Sequence, residues 1–166
     1  FYKTDIHWQS VKKDGQWEKK DPANDSRKVY MTDLFTDEAV QFVRSTPKDK
    51  PLYLYMAYNA PHTPMHATQE WLDKVPDIKD PMRRIYAAMV TAMDDGIGKL
   101  IAELKRTRRY DNTLIFFMSD NGGIEVFGSD NGPFSGMKGN LLEGGIHVPF
   151  TVTWPKRLKG GKEFNE

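Results

Sequence analysis

Residues 113–123 read TLIFFMSDNGG, an apolar run that ends in two oxygen-bearing side chains and two glycines. A short, nearly continuous apolar run predicts a strand buried on both faces of a sheet. Asp120 and Asn121 follow this strand directly, and the glycines after them let the backbone turn sharply beside a ligand. The same residues are common in ordinary turns, so their place after a buried strand is what favours a functional loop.

Two more segments predict strands. Residues 51–58 (PLYLYMAY) are a nearly continuous apolar run and predict a second strand buried on both faces. Residues 148–154 predict a third strand, which Pro155 ends. Residues 1–28 lack apolar periodicity, which indicates an extended surface segment or a short hairpin around residues 14–15.

Helical periodicity separates these strands. Residues 82–107 carry apolar side chains at helical spacing and predict a long amphipathic helix. A shorter helix is predicted from Thr32, as its capping residue, to Val43, and Pro47 lies just beyond it. Strands that alternate with helices indicate an α/β fold with a mainly parallel sheet and flanking helices.

Chemically active residues follow two of the predicted strands. His62 lies in the loop after residues 51–58, just as Asp120 and Asn121 follow residues 113–118. In open parallel sheets, ligands bind outside the carboxyl ends of the strands, so we expect the two loops to converge on one crevice. Carboxylate and amide oxygens suit calcium or magnesium, but this pair supplies only part of the six or more oxygens that calcium takes.

A lysine and a histidine could act on an anion in this crevice. Lys138 lies between glycines in residues 135–139 (SGMKG), where its ammonium could bind a sulfate or phosphate oxygen as a point charge. His62 lies on a proline-flanked loop and could donate a proton to an ester oxygen. Taken singly, most surface lysines are merely solvated and most lone histidines are structural.

The order and spacing of four segments resemble the sulfatase family of the alkaline phosphatase superfamily, along most of residues 29–155. The segments are residues 60–64 (APHTP), 119–123 (SDNGG), 138–145 (KGNLLEGG) and 146–149 (IHVP). The resemblance implies that residues 1–166 are a partial alkaline phosphatase-like sulfatase catalytic domain. It also implies that the complete enzyme hydrolyses the sulfate esters of small molecules or glycans.

The resemblance implies a role for each candidate residue. Lys138 matches the family's sulfate-binding lysine, which stabilises the transition state, and His62 matches the histidine that contacts the sulfate and assists the leaving group. Asp120 and Asn121 match ligands of a calcium ion, for which magnesium is the alternative. His147 stands where the family commonly has arginine, so the charge near the site is expected to depend on pH.

Several parts of the family's machinery have no match in these 166 residues. The family's nucleophile is a formylglycine made from the first residue of a Cys/Ser-x-Pro-x-Arg motif. The chain has no cysteine, and Ser45, its one serine before x-Pro, lacks the arginine. Two further aspartate ligands from an N-terminal strand and the C-terminal subdomain are also unmatched. We therefore expect the chain alone to be inactive or nearly so.

Composition bounds the partners of the chain. The net charge is +1, from 24 basic and 23 acidic residues, so no long-range field favours nucleic acid or an anionic membrane. No apolar stretch reaches the roughly 18 residues that a membrane span needs. Family analogy implies a periplasmic, secreted or lysosomal location, and the oligomeric state stays open.

Two other functions stay open. A phosphodiesterase or phosphonate hydrolase of the same superfamily would use a similar site. Alternatively, a non-catalytic remnant would bind an anionic glycan or a partner through the aromatic N-terminal segment and the basic run at residues 105–109, which we interpret as a solvated helix end.

Two residue pairs that resemble functional sites are interpreted otherwise. A zinc pair of His62 and His66 is disfavoured because no glutamate follows His62 and the prolines at positions 61 and 64 oppose a helix. His66 is instead a candidate to line a substrate groove. Asp94 and Asp95 fall in the middle of the long helix and are interpreted as structural.

Overall fold

A computed structural model of the chain describes residues 9–13, 16–20 and 30–163. The chain divides into two compact units, residues 1–30 and 31–166. Strands β1 (Gln9–Lys13) and β2 (Gln16–Lys20) of the first unit pair antiparallel, with Lys13 opposite Gln16. The hairpin predicted as one alternative for the N-terminal segment is thus confirmed. Its tip, residues 14–15, lies outside the described residues.

The second unit holds four helices and two strands among the residues described. In chain order these are α1 (Met31–Ser45), α2 (Gln69–Leu72), α3 (Pro81–Arg106), β3 (Ile115–Met118), α4 (Glu143–Ile146) and β4 (Phe150–Thr153). Short 3-10 turns lie at Tyr110–Asn112 and Glu125–Phe127. Within the described part of the chain, no helix is long and apolar enough to cross a membrane.

The long helix predicted for residues 82–107 is confirmed as α3, one residue earlier at each end. Asp80 caps it, because its carboxylate accepts a hydrogen bond of 2.7 Å from the backbone N–H of Arg83. Pro81 occupies the first helical position, where a missing N–H costs nothing. The sequence therefore fixes the start of this helix through local chemistry alone.

Helix α1 packs against α3 and forms the core of the second unit. Thr32 proves to be buried within the first turn of α1 and is not its capping residue, because the helix already begins at Met31. The Thr36 hydroxyl donates to the Thr32 carbonyl at 2.9 Å and lies 2.8 Å from the Tyr58 hydroxyl. At Gly96 of α3, a Cβ atom would run into both of these hydroxyls, so glycine is what allows the close approach.

An ion-pair cluster joins the two helices at the other end of this interface. The side chain of Glu103 on α3 is only 5% exposed. It accepts hydrogen bonds from Arg106, at 2.9 Å from Nε and 2.5 Å from Nη2, and from Arg44 on α1 at 3.4 Å. Hydrogen bonds from Arg106 and then Arg44 lower the pKa of Glu103 to about 2.

The predicted strands at residues 113–118 and 148–154 are confirmed as β3 and β4, and they pair antiparallel with each other. The prediction that the first of them is buried on both faces is wrong, because Phe116 and Met118 are each 59% exposed. In the described residues β3 pairs only with β4, and the face that carries Phe116 and Met118 is largely exposed. A mainly parallel sheet therefore stays a prediction.

The strand predicted at residues 51–58 is not found, because these residues form no strand in the described part of the chain. Their exposure alternates: Tyr53 is 86% exposed, whereas Leu54 and Met56 are half-buried in a groove beside Phe42 of α1. The prediction of burial on both faces is wrong here too. Among the described residues, the side chains of Leu54 and Met56 face α1, whereas Tyr53 points to the exposed side.

Candidate active site

His62 and Lys138 meet in space although 76 residues separate them, with Lys138 Nζ 3.2 Å from His62 Nε2. The other ring nitrogen, Nδ1, lies 2.7 Å from the carbonyl oxygen of Thr63. A carbonyl oxygen only accepts, so we assign the ring hydrogen to Nδ1, which leaves the lone pair of Nε2 for the ammonium. The catalytic pair predicted from the sequence is thus brought together.

The backbone around His62 holds the imidazole outward. The buried Ala60 anchors the loop beneath it, and the N–H of His62 donates to the carbonyl of Asn59 at 2.7 Å. The prolines at 61 and 64 restrict the chain on both sides. The imidazole itself is exposed, so an ester could reach Nε2.

Backbone hydrogen bonds dock the Asp120 loop against the Lys138 loop. The N–H of Gly122 donates to the carbonyl of Gly145 at 2.9 Å, and the N–H of Lys138 donates to the carbonyl of Gly123 at 3.3 Å. A Cβ atom at position 122 would collide with the carbonyl oxygen of Gly144. Glycine at position 122 is therefore required by a close approach of two loops.

Asp120 and Asn121 present oxygens that a hard cation could use. Asp120 is exposed, and the Asn121 Nδ2 group donates to the carbonyl of Gly122 at 2.9 Å. Among the described residues, neither the Asp120 carboxylate nor Asn121 Oδ1 accepts a hydrogen bond. Within those residues, no group of three or more His, Asp or Glu side chains could hold a metal ion. The donor set thus fits part of a calcium site and needs further ligands.

His147 pairs with its own helix. Its Nδ1 lies 2.7 Å from the Glu143 carboxylate, and its ring stacks on Phe134 with 4.3 Å between ring centroids. A protonated imidazole would form an ion pair with Glu143, whereas a neutral one would keep only the hydrogen bond. The pH-dependent charge expected at this position stays a prediction.

The basic run at residues 105–109 is largely engaged within the fold. Arg106 pairs with Glu103, which raises the pKa of the Arg106 guanidinium. Arg109 donates to the backbone carbonyls of Thr46, Pro47 and Lys50. Its guanidinium therefore fastens the end of α1 to the end of α3, which differs from the solvated helix end interpreted from the sequence.

The other residues considered in the sequence analysis, Asp94, Asp95 and His66, have partners or environments of their own. Asp94 and Asp95 are exposed on α3, and Asp95 forms an ion pair of 2.8 Å with Lys99, whose pKa its hydrogen bond raises. This confirms their structural interpretation. Partial burial lowers the pKa of His66, which favours its neutral ring.

Asn131 contacts the site loops, although the sequence did not predict a role for it. Its side chain bonds to the backbone of Gly123 and to the carbonyl of Gly136. A signal existed, because residues 129–132 (SDNG) repeat residues 119–122 ten positions later. The repeat alone does not say that the second copy supports the first.

The second unit is therefore an α/β structure that carries a cationic and imidazole pair beside an oxygen-rich loop, the class of site that acts on anionic esters. The family model Sulfatase matches residues 4–163. Mouse arylsulfatase J is 38% identical over 120 residues, which are 72% of this chain and 20% of that protein. Human N-acetylgalactosamine-6-sulfatase is 31% identical over 160 residues, 93% of this chain and 29% of that protein.

Solved structures agree with the relatives. The crystal structure of Ps i-CgsB is 45% identical with a TM-score of 0.77, over 87% of this chain and 32% of that one. Its complex with k-i-k-neocarrahexaose is 46% identical with a TM-score of 0.74, over 84% and 31%. The chain belongs to the sulfatase family, enzymes of an alkaline phosphatase-like α/β fold. It spans a fifth to a third of the length of these relatives.

Proposed function

We propose that the protein containing this chain hydrolyses sulfate esters carried by a glycan, with His62 and Lys138 at the reacting group. The observation that carries this proposal is the 3.2 Å approach of Lys138 Nζ to His62 Nε2 on two exposed loops. A glycan substrate is supported by the name of the human N-acetylgalactosamine-6-sulfatase and by the neocarrahexaose bound in a similar structure. Sulfated small molecules are the alternative substrates.

The geometry suggests how the two side chains divide the work. A sulfate oxygen replaces His62 Nε2 as the acceptor for the Lys138 ammonium, which then opposes the charge that develops on the ester. Because Thr63 holds Nδ1–H, Nε2 is the nitrogen that exchanges a proton with the site. Once it carries a proton, His62 can donate it to the departing ester oxygen as a general acid.

Asp120 and Asn121 would hold part of a calcium site, with magnesium as the alternative ion. The bound ion supplies positive charge against the sulfate oxygens. The exposed carboxylate of Asp120 and the open Oδ1 of Asn121 fit this role. Formylglycine supplies the nucleophile in the family, and no residue of this chain matches its motif.

The place of the chain in the whole enzyme and in the cell is also part of the proposal. We place residues 1–166 within a larger sulfatase catalytic domain, in which β3 and the extended residues 51–58 belong to a mainly parallel sheet. We also infer a periplasmic, secreted or lysosomal location from the family. In this setting the chain alone is expected to be inactive, because the positioning groups are present without their nucleophile.

Replacement of Lys138 tests the proposal in the complete protein. Lys138→Ala is expected to lower kcat on an aryl sulfate by roughly 100- to 1000-fold, the usual loss for one transition-state donor. His62→Ala is expected to cost most on esters with a poor leaving group, since these need the proton. Lys159→Ala, on an exposed lysine, is the matched control and should leave the rate unchanged.

The same assays separate the alternatives. If Lys138→Ala keeps its rate within about twofold, the assignment of the site is wrong. A higher rate on an aryl phosphate diester than on the aryl sulfate would favour the phosphodiesterase. Glycan binding that survives both substitutions but is lost on charge reversal at Arg108 would favour the non-catalytic binder.

A further inference from the structure

The Asn131 side chain joins the two loops that carry the site. Its Oδ1 accepts from the N–H of Gly123 at 2.9 Å, and its Nδ2 donates to the carbonyls of Gly123 at 3.0 Å and Gly136 at 3.2 Å. The partners settle the orientation of the amide, because an N–H must face oxygen and a carbonyl must face nitrogen. All three bonds go to backbone groups.

Gly123 is the point at which these bonds reach Lys138. Its carbonyl oxygen accepts from Asn131 Nδ2 and also from the backbone N–H of Lys138 at 3.3 Å. The Lys138 side chain then extends to His62. A continuous hydrogen-bonded path therefore runs from Asn131 through Gly123 and Lys138 to the imidazole.

The second anchor of Asn131 fixes the other side of the lysine loop. Gly136 has a φ of +94°, in the left-handed region, and a Cβ there would lie 2.7 Å from a side-chain carbon of Leu142. Its carbonyl orientation is thus set by a conformation that favours glycine. Asn131 binds this carbonyl two residues before Lys138, so it holds the lysine loop from both directions.

No other standard side chain reproduces this set of bonds. Aspartate keeps an acceptor for the Gly123 N–H but has no hydrogens for the two carbonyls, and its charge would repel them. Glutamine has the same amide one methylene farther out, and alanine has neither group. Loss of the amide would leave partly buried backbone groups without partners, which is costly.

We propose that Asn131 is a positioning residue for this reaction: its amide locks the Asp120–Gly123 loop to the Lys138 loop and so sets the distance from Lys138 Nζ to His62 Nε2. This inference rests on the proposed function. Asn131 itself contacts neither His62 nor the Lys138 side chain among its hydrogen bonds. It therefore acts on the substrate indirectly, through the loops that carry Lys138 and the candidate metal ligands Asp120 and Asn121.

A double-mutant cycle in the complete protein tests the proposal with an aryl sulfate substrate. Asn131→Ala is expected to lower kcat/KM by about 10- to 100-fold, the scale of a displaced catalytic group. In the Lys138→Ala background, the same change should cost less than in the parent, because the lysine that it positions is gone. Asn131→Asp should resemble Asn131→Ala, and Asn131→Gln should recover at most part of the rate.

Two controls separate positioning from stability. Asn112→Ala removes an exposed amide outside these loops and should leave kcat/KM unchanged. Glu103→Gln weakens the α1–α3 interface without touching the loops, so it should lower Tm but not kcat/KM per folded enzyme. If Asn131→Ala fails to fold, the cycle is run with Asn131→Asp.

The outcomes distinguish this inference from the proposed function. If Lys138→Ala lowers the rate but the Asn131 variants stay within about twofold of the parent, the positioning role is overturned and the proposed function stands. Additive losses of kcat/KM in the cycle also overturn it. So does a loss of kcat/KM in Glu103→Gln as large as that of an Asn131 variant with the same Tm, because lower stability would then explain both losses. If Lys138→Ala itself leaves the rate unchanged, the proposed function fails and the positioning role fails with it.

Discussion

Single glycines decide how closely the site loops approach each other. Gly122 lies where the Asp120 loop crosses the backbone of residues 143–146, and its N–H bonds to the carbonyl of Gly145. The neighbouring carbonyl of Gly144 occupies the space that any side chain at position 122 would need. Position 122 therefore requires glycine because any larger residue would not fit.

Gly122→Ala should therefore damage both stability and catalysis. Overpacking against backbone typically costs roughly 1–3 kcal/mol, and here relief requires the two loops to separate. We expect a lower Tm of the complete protein and a fall in kcat on an aryl sulfate. Gly160→Ala is the matched control, because a Cβ at position 160 meets nothing within 4 Å. A Gly122→Ala variant with the parent's Tm and kcat would contradict the close approach.

The individual site residues differ in how well the sequence predicts their positions. The family resemblance implies that His62 and Lys138 contact the same sulfate, and the structure brings the two side chains within 3.2 Å of each other. Asn131 was not predictable in the same way, because its three partners are backbone groups of two separate loops. The positions of these partners depend on tertiary structure, which the repeated SDNG segment does not specify.

At the scale of elements, the α1–α3 interface shows a glycine used for packing within a helix. Gly96 lies on the buried face of α3 against Thr36 and Tyr58. Gly98, two residues along the same helix, faces open space, since nothing lies within 4 Å of a Cβ there. The same substitution at these two positions should thus have opposite effects.

Gly96→Ala is expected to destabilise the protein by about 1–3 kcal/mol, because the new methyl group displaces Thr36 and breaks its bond to Tyr58. Gly98→Ala should stabilise it by about 0.5–1 kcal/mol, since alanine favours a helix interior over glycine. Chemical denaturation of both variants measures the difference. Equal effects at the two positions would show that α1 does not approach α3 as closely as described.

The Glu103 cluster predicts how the interface responds to acid. Its pKa is lowered from 4.5 to about 2 in the folded state, chiefly by the hydrogen bonds from Arg106. Between these values the unfolded chain binds the proton and the folded one does not, so stability rises with pH across this window. The contribution is complete above about pH 4.5 and is lost as the pH falls through about 2.

Replacement of Glu103 tests this acid sensitivity. Glu103→Gln should lower stability at pH 7 and remove the part of the acid-induced loss that falls between about pH 4.5 and 2. Denaturation midpoints measured across this range give the comparison. Glu125→Gln, on an exposed glutamate, should preserve the parent's pH profile. A parent-like acid slope in Glu103→Gln would mean that other groups carry it.

Elements also differ in how well the sequence predicts them. The long helix is predicted to within one residue at each end because its cap and its periodicity are local. Two of the three predicted strands are found in position, as β3 and β4, but β3 is not buried as predicted and residues 51–58 form no strand among the described residues. The burial of Phe116 depends on which segments pack over β3. An apolar run predicts a buried strand in the same way whether or not the segments that pack over it belong to this chain.

At the scale of the whole molecule, an apolar sheet face stands uncovered in the described residues. Phe116 lies opposite Val152 and Met118 opposite Phe150 in the register of β3 and β4, so the four side chains share one face. They are between 39% and 59% exposed. The aligned part of the chain covers only a fifth to a third of these relatives, so they have further segments available to cover such a face.

The chain produced on its own should therefore self-associate through this face. Contiguous exposed apolar side chains on a short, open sheet favour pairing with another copy. We expect its apparent mass in analytical ultracentrifugation to rise with concentration in the micromolar range. Phe116→Lys combined with Val152→Lys should suppress the rise, because two charges on that face oppose both burial and strand pairing.

The same double substitution has the opposite consequence in the complete protein. There we expect the face to be buried, so two uncompensated lysines should unfold or strongly destabilise the enzyme. Leu158→Lys is the matched control, since Leu158 is apolar and 47% exposed but lies outside the β3–β4 pair. It should change neither association of the chain nor stability of the enzyme. If the doubly substituted chain still self-associates, the associating surface lies elsewhere. If the doubly substituted enzyme stays stable, this face is exposed to solvent in the complete protein as well.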